Sequence, residues 1–153
     1  MISSASDKEQ EPLEYGSNIT LDQAKIVMAA AEREALKNRW PIAIAIVDTG
    51  ARLVMLHKMD HTQIGSILVA QQKAETAVSF KRPSKVFEDA IAQGGVRLRT
   101  LGMSNVIPLE GGLLLMINGK IVGAIGASGV QSQQDAQVAQ AGVSALLALH
   151  TGV

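Results

Sequence analysis

The sequence predicts an α+β domain in which helices flank a five-stranded antiparallel sheet, a layered arrangement like that of profilin or PAS domains. Two apolar segments interrupted by turn residues predict two β-hairpins, and residues 106–108 predict a short fifth strand. Most other apolar residues recur every three or four positions, as in amphipathic helices. Because both hairpins are apolar on consecutive as well as alternate positions, helices must cover the sheet.

Length and composition are those of one folded domain. The chain has 153 residues, of which 47% are apolar, and we assign residues 19–153 to a single domain after a polar arm at 1–18. Its 14 basic and 14 acidic residues cancel, and without a basic patch we expect no nucleic-acid partner. No apolar run reaches the roughly 20 residues of a membrane helix, so we expect no membrane partner.

The absence of cysteine excludes disulfides, thiolate metal sites and a cysteine nucleophile. The polar start has no apolar segment of the kind found in secretory signals, so we expect a cytoplasmic protein. The arm at 1–18 is interpreted as loosely ordered, with pairing to a neighbouring subunit as the alternative.

The first helix begins after Thr20, since Thr20-x-x-Gln23 is a capping box. The predicted buried stripe consists of Leu21, Ala24, Met28, Ala31 and Ala35. Pro41 ends the helix. Residues 42–47 then form a buried strand, a turn follows at 48–51, and residues 52–58 return as the second strand of the first hairpin.

His57, Asp60 and His61 cluster at the end of this hairpin. Histidine binds metal ions and haem iron, so His57 and His61 are candidate metal or iron ligands. A solvated loop is the alternative, because the two histidines straddle a loop.

The second helix, at 62–80, carries Lys73 on a stripe of small residues. Either its stem covers apolar surface while its ammonium reaches water, or it binds an anion or a carbonyl at the edge of a pocket. A short helix capped by Ser84 follows. Beyond it, Arg97 and Arg99 face solvent or a subunit partner, or bind carboxylates.

The second hairpin turns at Asn118-Gly119, the pair preferred in type I′ turns. Its glycine-rich entry at 110–112 and exit at 126–129 lie at the same end, where we expect any site. The glycine spacing differs from that of the dinucleotide-binding fingerprint. The last helix begins at Ser132, and Asp135 either starts its inward face or caps its first turn.

Four blocks of the sequence resemble the GlcG/HbpS family, which includes the C-terminal domain of PduO-type proteins. These blocks are residues 21–34, 44–50, 72–77 and 108–142, within a region from 19 to 150. The resemblance implies the sheet described above, homo-oligomers from dimers to octamers, and binding of haem or another tetrapyrrole. The positions that match the family pattern are Asp48, Gly50, Lys73, Thr76, Gly111, Gly112, Gly126, Gly129 and Asp135. Histidines are not typical of the family, so it implies no role for His57 or His61.

These residues and the resemblance lead to three alternative hypotheses for the function. The first is a small-ligand-binding protein, with haem as candidate cofactor, His57 or His61 on iron, and Lys73, Arg97 or Arg99 near the propionates. Its candidate ligand-binding residues are Asp48, His57, His61, Lys73, Thr76, Glu110, Gly111, Gly112 and Asp135.

The second function is an enzyme that acts on an oxygenated or carbonyl metabolite. Lys73, Glu110 and Asp135 would then perform acid–base chemistry, while the amides of Gly111 and Gly112 would stabilise an oxyanion. The third is a structural or assembly protein whose glycines only permit tight packing.

Overall fold

The computed structural model describes residues 12–151, the side chains as far as residue 150. In chain order, the elements are β1 (Glu14–Tyr15), α1 (Leu21–Asn38), β2 (Ala43–Asp48), β3 (Leu53–Lys58), α2 (Gly65–Phe80), α3 (Lys85–Gln93), a 3-10 helix (Gly95–Gly102), β4 (Gly112–Ile117), β5 (Lys120–Ser128) and α4 (Ser132–Thr151). The predicted fold class is confirmed, since helices flank a five-stranded sheet.

β5 is the centre of the sheet. β4 pairs with it in antiparallel fashion along one edge, β2 pairs antiparallel along the other, and β3 continues outward from β2. The turn between β4 and β5 has positive φ at both Asn118 (51°) and Gly119 (76°), which confirms the predicted type I′ hairpin.

The fifth strand is β1, and it runs parallel to β5 from Glu14 opposite Lys120. The hydroxyl of Tyr15 donates to the carbonyl of Val78 at 2.6 Å and so ties this segment to α2. The prediction of a strand at 106–108 is wrong: the Ile107 amide donates to Thr76 Oγ1 at 3.0 Å, so a side chain of α2, and not a strand, takes this hydrogen bond. The part of the predicted arm before residue 12 lies outside the described residues.

Two helices cover one face of the sheet and one covers the other. Ile44, Ile46 and Ile125 pack in a core with residues of α1 and α4, whereas Val47 and Ala124 pack with residues of α2. α2 approaches the sheet closely: a Cβ on Gly126 would lie 2.1 Å from the carbonyl oxygen of Ala70. Small residues on both surfaces therefore bring the backbone of α2 down onto β5.

The ends of the helices differ in part from the prediction. The capping box of Thr20 and Gln23 is confirmed, but Leu21 is 53% exposed and Val27 is buried in its place, so the buried stripe starts later. α2 begins at Gly65, because Thr62 Oγ1 instead donates to the carbonyl of Met59 and closes a turn. On α4, Leu146 is buried and Leu149 is exposed, so the inward face that the sequence predicts for this helix ends near Leu146. None of the helices described is both long and apolar enough to cross a bilayer.

Candidate functional site

Lys73 lies inside the protein, under the glycine-rich end of the second hairpin. Its Nζ donates to Asp135 Oδ2 at 3.0 Å and to the carbonyl of Ala127 at 2.9 Å, and the two side chains are only 2% and 3% exposed. The interpretation in which the ammonium reaches water is therefore wrong. Because α2 lies directly against β5, the Lys73 stem runs under the strand end, where Asp135 compensates its charge.

Asp135 joins three segments of the chain. Its Oδ2 accepts from Lys73 of α2, and its Oδ1 accepts from the amide of Val130, in the loop that leads from β5 to α4, at 3.1 Å. Burial raises the pKa of the Asp135 carboxyl, and the nearby Lys73 ammonium opposes that rise. The ion pair thus connects α2, the loop after β5 and the first turn of α4.

The two glycines at the entry of β4 pack against the same lysine. Gly111 has φ of 135°, and a Cβ on it would lie 2.8 Å from Lys73 Nζ; a Cβ on Gly112 would lie 2.1 Å from the Lys73 carbonyl oxygen. The Gly112 amide donates to Ser84 Oγ at 2.8 Å. It is therefore occupied, and the predicted oxyanion role of Gly112 is wrong. The same contact explains why Ser84 makes no side-chain cap for α3.

Glu110 and Asp48 are not joined to this ion pair. In the part of the chain that the structure describes, Lys73 makes an ion pair with Asp135 alone, and the Glu110 amide donates to Glu88 Oε1 at 3.4 Å. Asp48 Oδ1 accepts from the amides of Gly50 and Arg52 and so closes the turn of the first hairpin.

Asp48 also lies at the far end of β5. It stands opposite Gly123, whereas Lys73 binds Ala127, four residues further along the strand, or about 13 Å at the usual rise. The predicted ligand-binding residues therefore do not form one site. Thr76 is buried as well, where its hydroxyl accepts from the amide of Ile107.

The two histidines have different surroundings. His57, at the end of β3, contacts Glu32 Oε1 through its Nδ1. His61 has a positive φ of 68° in the loop before α2, and it lines an open cleft. Among residues 12–150 there is no group of three histidine, aspartate or glutamate side chains that would hold a metal ion.

The Trp40 cleft, as we call it, lies between the end of α1 and the loop after β3. Its volume is about 530 Å³, and its walls combine apolar and charged side chains: Glu32, Ala35, Leu36, Arg39, Trp40, Pro41, Lys58, Met59, Asp60 and His61. α1 ends at Asn38 and is capped by Arg39, which is left-handed with φ of 60°, and the Trp40 amide donates back to the carbonyl of Ala35 at 2.9 Å. This turn holds Trp40 at the side of the cleft.

His61 is a predicted site residue, whereas Arg39, Trp40 and Lys58 were not predicted from the sequence. The available signal was the only tryptophan of the chain, placed directly before the proline that follows the first helix. The arginines that were predicted near propionates, Arg97 and Arg99, lie exposed on the 3-10 helix and do not line this cleft.

The family model and a related protein both place this chain in the same family. Residues 19–144 match the family model described as "Haem degrading protein HbpS-like". Protein GlcG of Escherichia coli strain K12 is 35% identical over 110 residues, which cover 72% of this chain and 81% of GlcG.

Two solved structures have the same fold. The Klebsiella pneumoniae protein ORFY superposes with a TM-score of 0.82 at 26% identity, covering 91% of this chain and 97% of ORFY. A PduOC–haem complex superposes with a TM-score of 0.76 at 25% identity, covering 84% of this chain and 94% of PduOC.

Proposed function

This chain belongs to the HbpS-like family, and we propose that it binds haem or a related tetrapyrrole in the Trp40 cleft. The observation that carries the proposal is the lining of that cleft, which combines apolar surface and an imidazole with two cations and two carboxylates. The similar PduOC protein was crystallised with haem, which supports the same ligand class here.

The apolar part of the cleft suits a flat macrocycle. Trp40, Leu36 and Pro41 supply carbon surface, and the cleft is open to solvent. An indole is large and rigid, and it pairs well with a planar ring system. Only 3% of the residues of the chain are aromatic, and its single tryptophan lies in this cleft.

His61 is the residue we propose as the iron ligand. It is exposed, it lines the cleft, and imidazole nitrogen is an established protein ligand of haem iron. His57 is less suited, because it is not among the residues that line the cleft. The Met59 thioether also lines the cleft and is a second group that binds haem iron.

Arg39 and Lys58 are the residues we propose for the propionates. Both are exposed at the cleft, and their cations form charge-assisted hydrogen bonds with carboxylates. They take the place that sequence analysis gave to Lys73, Arg97 and Arg99. Lys73 does not suit that role, because its ammonium is buried with Asp135.

A titration of the purified protein with hemin, followed at the Soret band, tests this proposal. We expect a saturable red shift near one haem per chain, and its loss in His61→Ala. His150→Ala is the matched control, because His150 lies on α4 and contacts Gln23, away from the cleft. A non-saturating change, or equal spectra for the wild type and His61→Ala, would remove the axial role of His61.

Two other hypotheses stay open as predictions. The first is acid–base chemistry at Lys73 and Asp135. It is supported by the distance of 3.0 Å between Lys73 Nζ and Asp135 Oδ2, but a substrate would reach the pair only after the hairpin entry opened.

The second is self-association, which we propose alongside haem binding. Ile64, Val96 and Leu101 expose large apolar side chains that a second copy of the chain would cover.

A further inference from the structure

A second cleft, separate from the Trp40 cleft, lies between α2 and the loop before β4. It has a volume of about 420 Å³, and it is lined by Gln72, Glu75, Ser104, Asn105, Val106 and Ile107. We call it the Glu75 cleft. It shares no lining residue with the Trp40 cleft, so its occupant is independent of the function proposed above.

The Glu75 cleft is built by a buried contact. Thr76 is fully buried, and its Oγ1 accepts a hydrogen bond from the amide of Ile107 at 3.0 Å. This bond ties the loop to α2 one residue away from Glu75. Gln72 and Glu75 are three positions apart on α2, so both side chains project on the same side of the helix toward that loop.

The lining is polar, with a single charge. Four of the six residues carry polar side chains, and Glu75 is the only ionisable one. Glu75 is half-buried, and burial raises the pKa of its carboxyl. Among residues 12–150, no basic side chain lies at ion-pairing distance from it. A partly buried carboxylate without a counter-charge is unfavourable, and a bound cation would offset that cost.

The remaining groups suit an organic cation better than a metal ion. The amide oxygens of Gln72 and Asn105 and the Ser104 hydroxyl accept hydrogen bonds, and an ammonium group donates three. Glu75 is the only carboxylate in this cleft, and no group of three carboxylate or imidazole side chains that would hold a metal ion is found among the described residues.

We propose that the Glu75 cleft binds a small primary amine, with one ammonium hydrogen on the Glu75 carboxylate and the other two donated among Gln72, Ser104 and Asn105. The volume accommodates a small metabolite, and a macrocycle belongs in the larger cleft. Because none of the groups proposed for haem takes part, this site is expected to work in the haem-free and in the haem-loaded protein.

Isothermal titration calorimetry with ethanolamine tests the site, and ethylene glycol is the neutral control of nearly equal size. We expect saturable binding of ethanolamine alone. Glu75→Gln should weaken it by about tenfold or more, as expected for a hydrogen bond to a charged group. Glu34→Gln is the matched control: Glu34 lines a different cleft, between α1 and α4, and should leave binding unchanged.

A second pair of variants keeps the test valid if Glu75→Gln fails to fold. Asn105 is exposed on the loop, so its replacement is tolerated. Asn105→Asp adds a negative charge and should tighten ethanolamine binding, whereas Asn105→Lys should weaken it. The proposal is overturned if the wild type shows no saturable binding, if ethylene glycol binds equally well, or if the Asn105 variants do not differ.

Discussion

The Lys73–Asp135 pair and the Trp40 cleft lie near the same end of the sheet but use their charges in opposite ways. A Cβ on Gly129, in the loop that joins β5 to α4, would touch Pro41 at the wall of the cleft. The pair is almost completely buried, and its charges satisfy each other. The charged residues of the cleft, among them Arg39 and Lys58, are exposed and available to a ligand.

The difference in burial distinguishes residues that support the fold from residues that can contact a ligand. Of the positions predicted to match the family pattern, Lys73, Thr76, Gly111, Gly112 and Asp135 are buried, whereas Asp48 and Gly50 are not. None of the residues that line the Trp40 cleft is among those matching positions. We infer that the buried matching positions hold this end of the sheet together, while the ligand chemistry of this chain lies on the loops beside it.

The largest effect is expected from Lys73→Met, which keeps the length of the stem and removes the charge. It leaves the Asp135 carboxylate buried without its counter-charge, which costs about 3–5 kcal/mol of unfolding free energy. Chemical denaturation followed by circular dichroism measures this loss. Because the pKa of Asp135 is already raised by burial and Lys73 opposes that rise, the loss should shrink as the pH falls and Asp135 is protonated.

Two controls accompany Lys73→Met. The double variant Lys73→Met/Asp135→Leu should regain most of the lost stability, since both charges are then absent. Lys85→Met removes one member of the exposed Lys85–Asp89 pair and should have little effect. If Lys73→Met abolished hemin binding in molecules that remain folded, the separation between supporting pair and ligand cleft would be wrong.

A smaller loss of stability is expected from Gly112→Ala. The new Cβ would lie 2.1 Å from the carbonyl oxygen of Lys73, and relief of that overlap should cost about 1–3 kcal/mol or more. Thermal unfolding measures the change. Gly65→Ala is the matched control, because its Cβ would meet no atom within 4 Å at the start of α2. Equal melting temperatures for the two variants would contradict the close packing of β4 on α2.

The smallest effect in free energy is expected at the cleft, from Arg39→Glu. Reversal of this charge should weaken hemin binding by about tenfold, or about 1.4 kcal/mol, and leave the melting temperature nearly unchanged. Arg33→Glu changes the net charge equally on the same helix but at another cleft. If both variants weakened hemin binding to the same extent, general electrostatic attraction, and not a contact at Arg39, would explain the effect.

The local elements were predictable because their signals lie within a few residues. The capping box of Thr20 and Gln23 and the turn at Asn118-Gly119 need only neighbouring atoms to form, and the structure has both. The fifth strand was not predictable in this way. Glu14 and Tyr15 pair with residues more than 100 positions away, and their sequence has no apolar alternation.

The site was predictable only as a set of polar residues and glycines. The glycine-rich end of the second hairpin does contact Lys73. Glu110 and Asp48, which were predicted to join the same site, lie apart from Lys73. Sequence spacing reports which residues share a strand or a helix face, and it does not report which side chains from different elements meet.

The sequence by itself determined the fold class, both hairpins and the small-residue surface of α2, because period and turn chemistry act locally. Only the tertiary structure decided whether a charged residue is buried or exposed. Lys73 is buried because α2 packs on β5 and Asp135 arrives from α4, 62 residues further along the chain. Arg39 and His61 became neighbours across one cleft because α1 ends beside the loop after β3. Contacts of this kind depend on how layers pack, which no short stretch of sequence specifies.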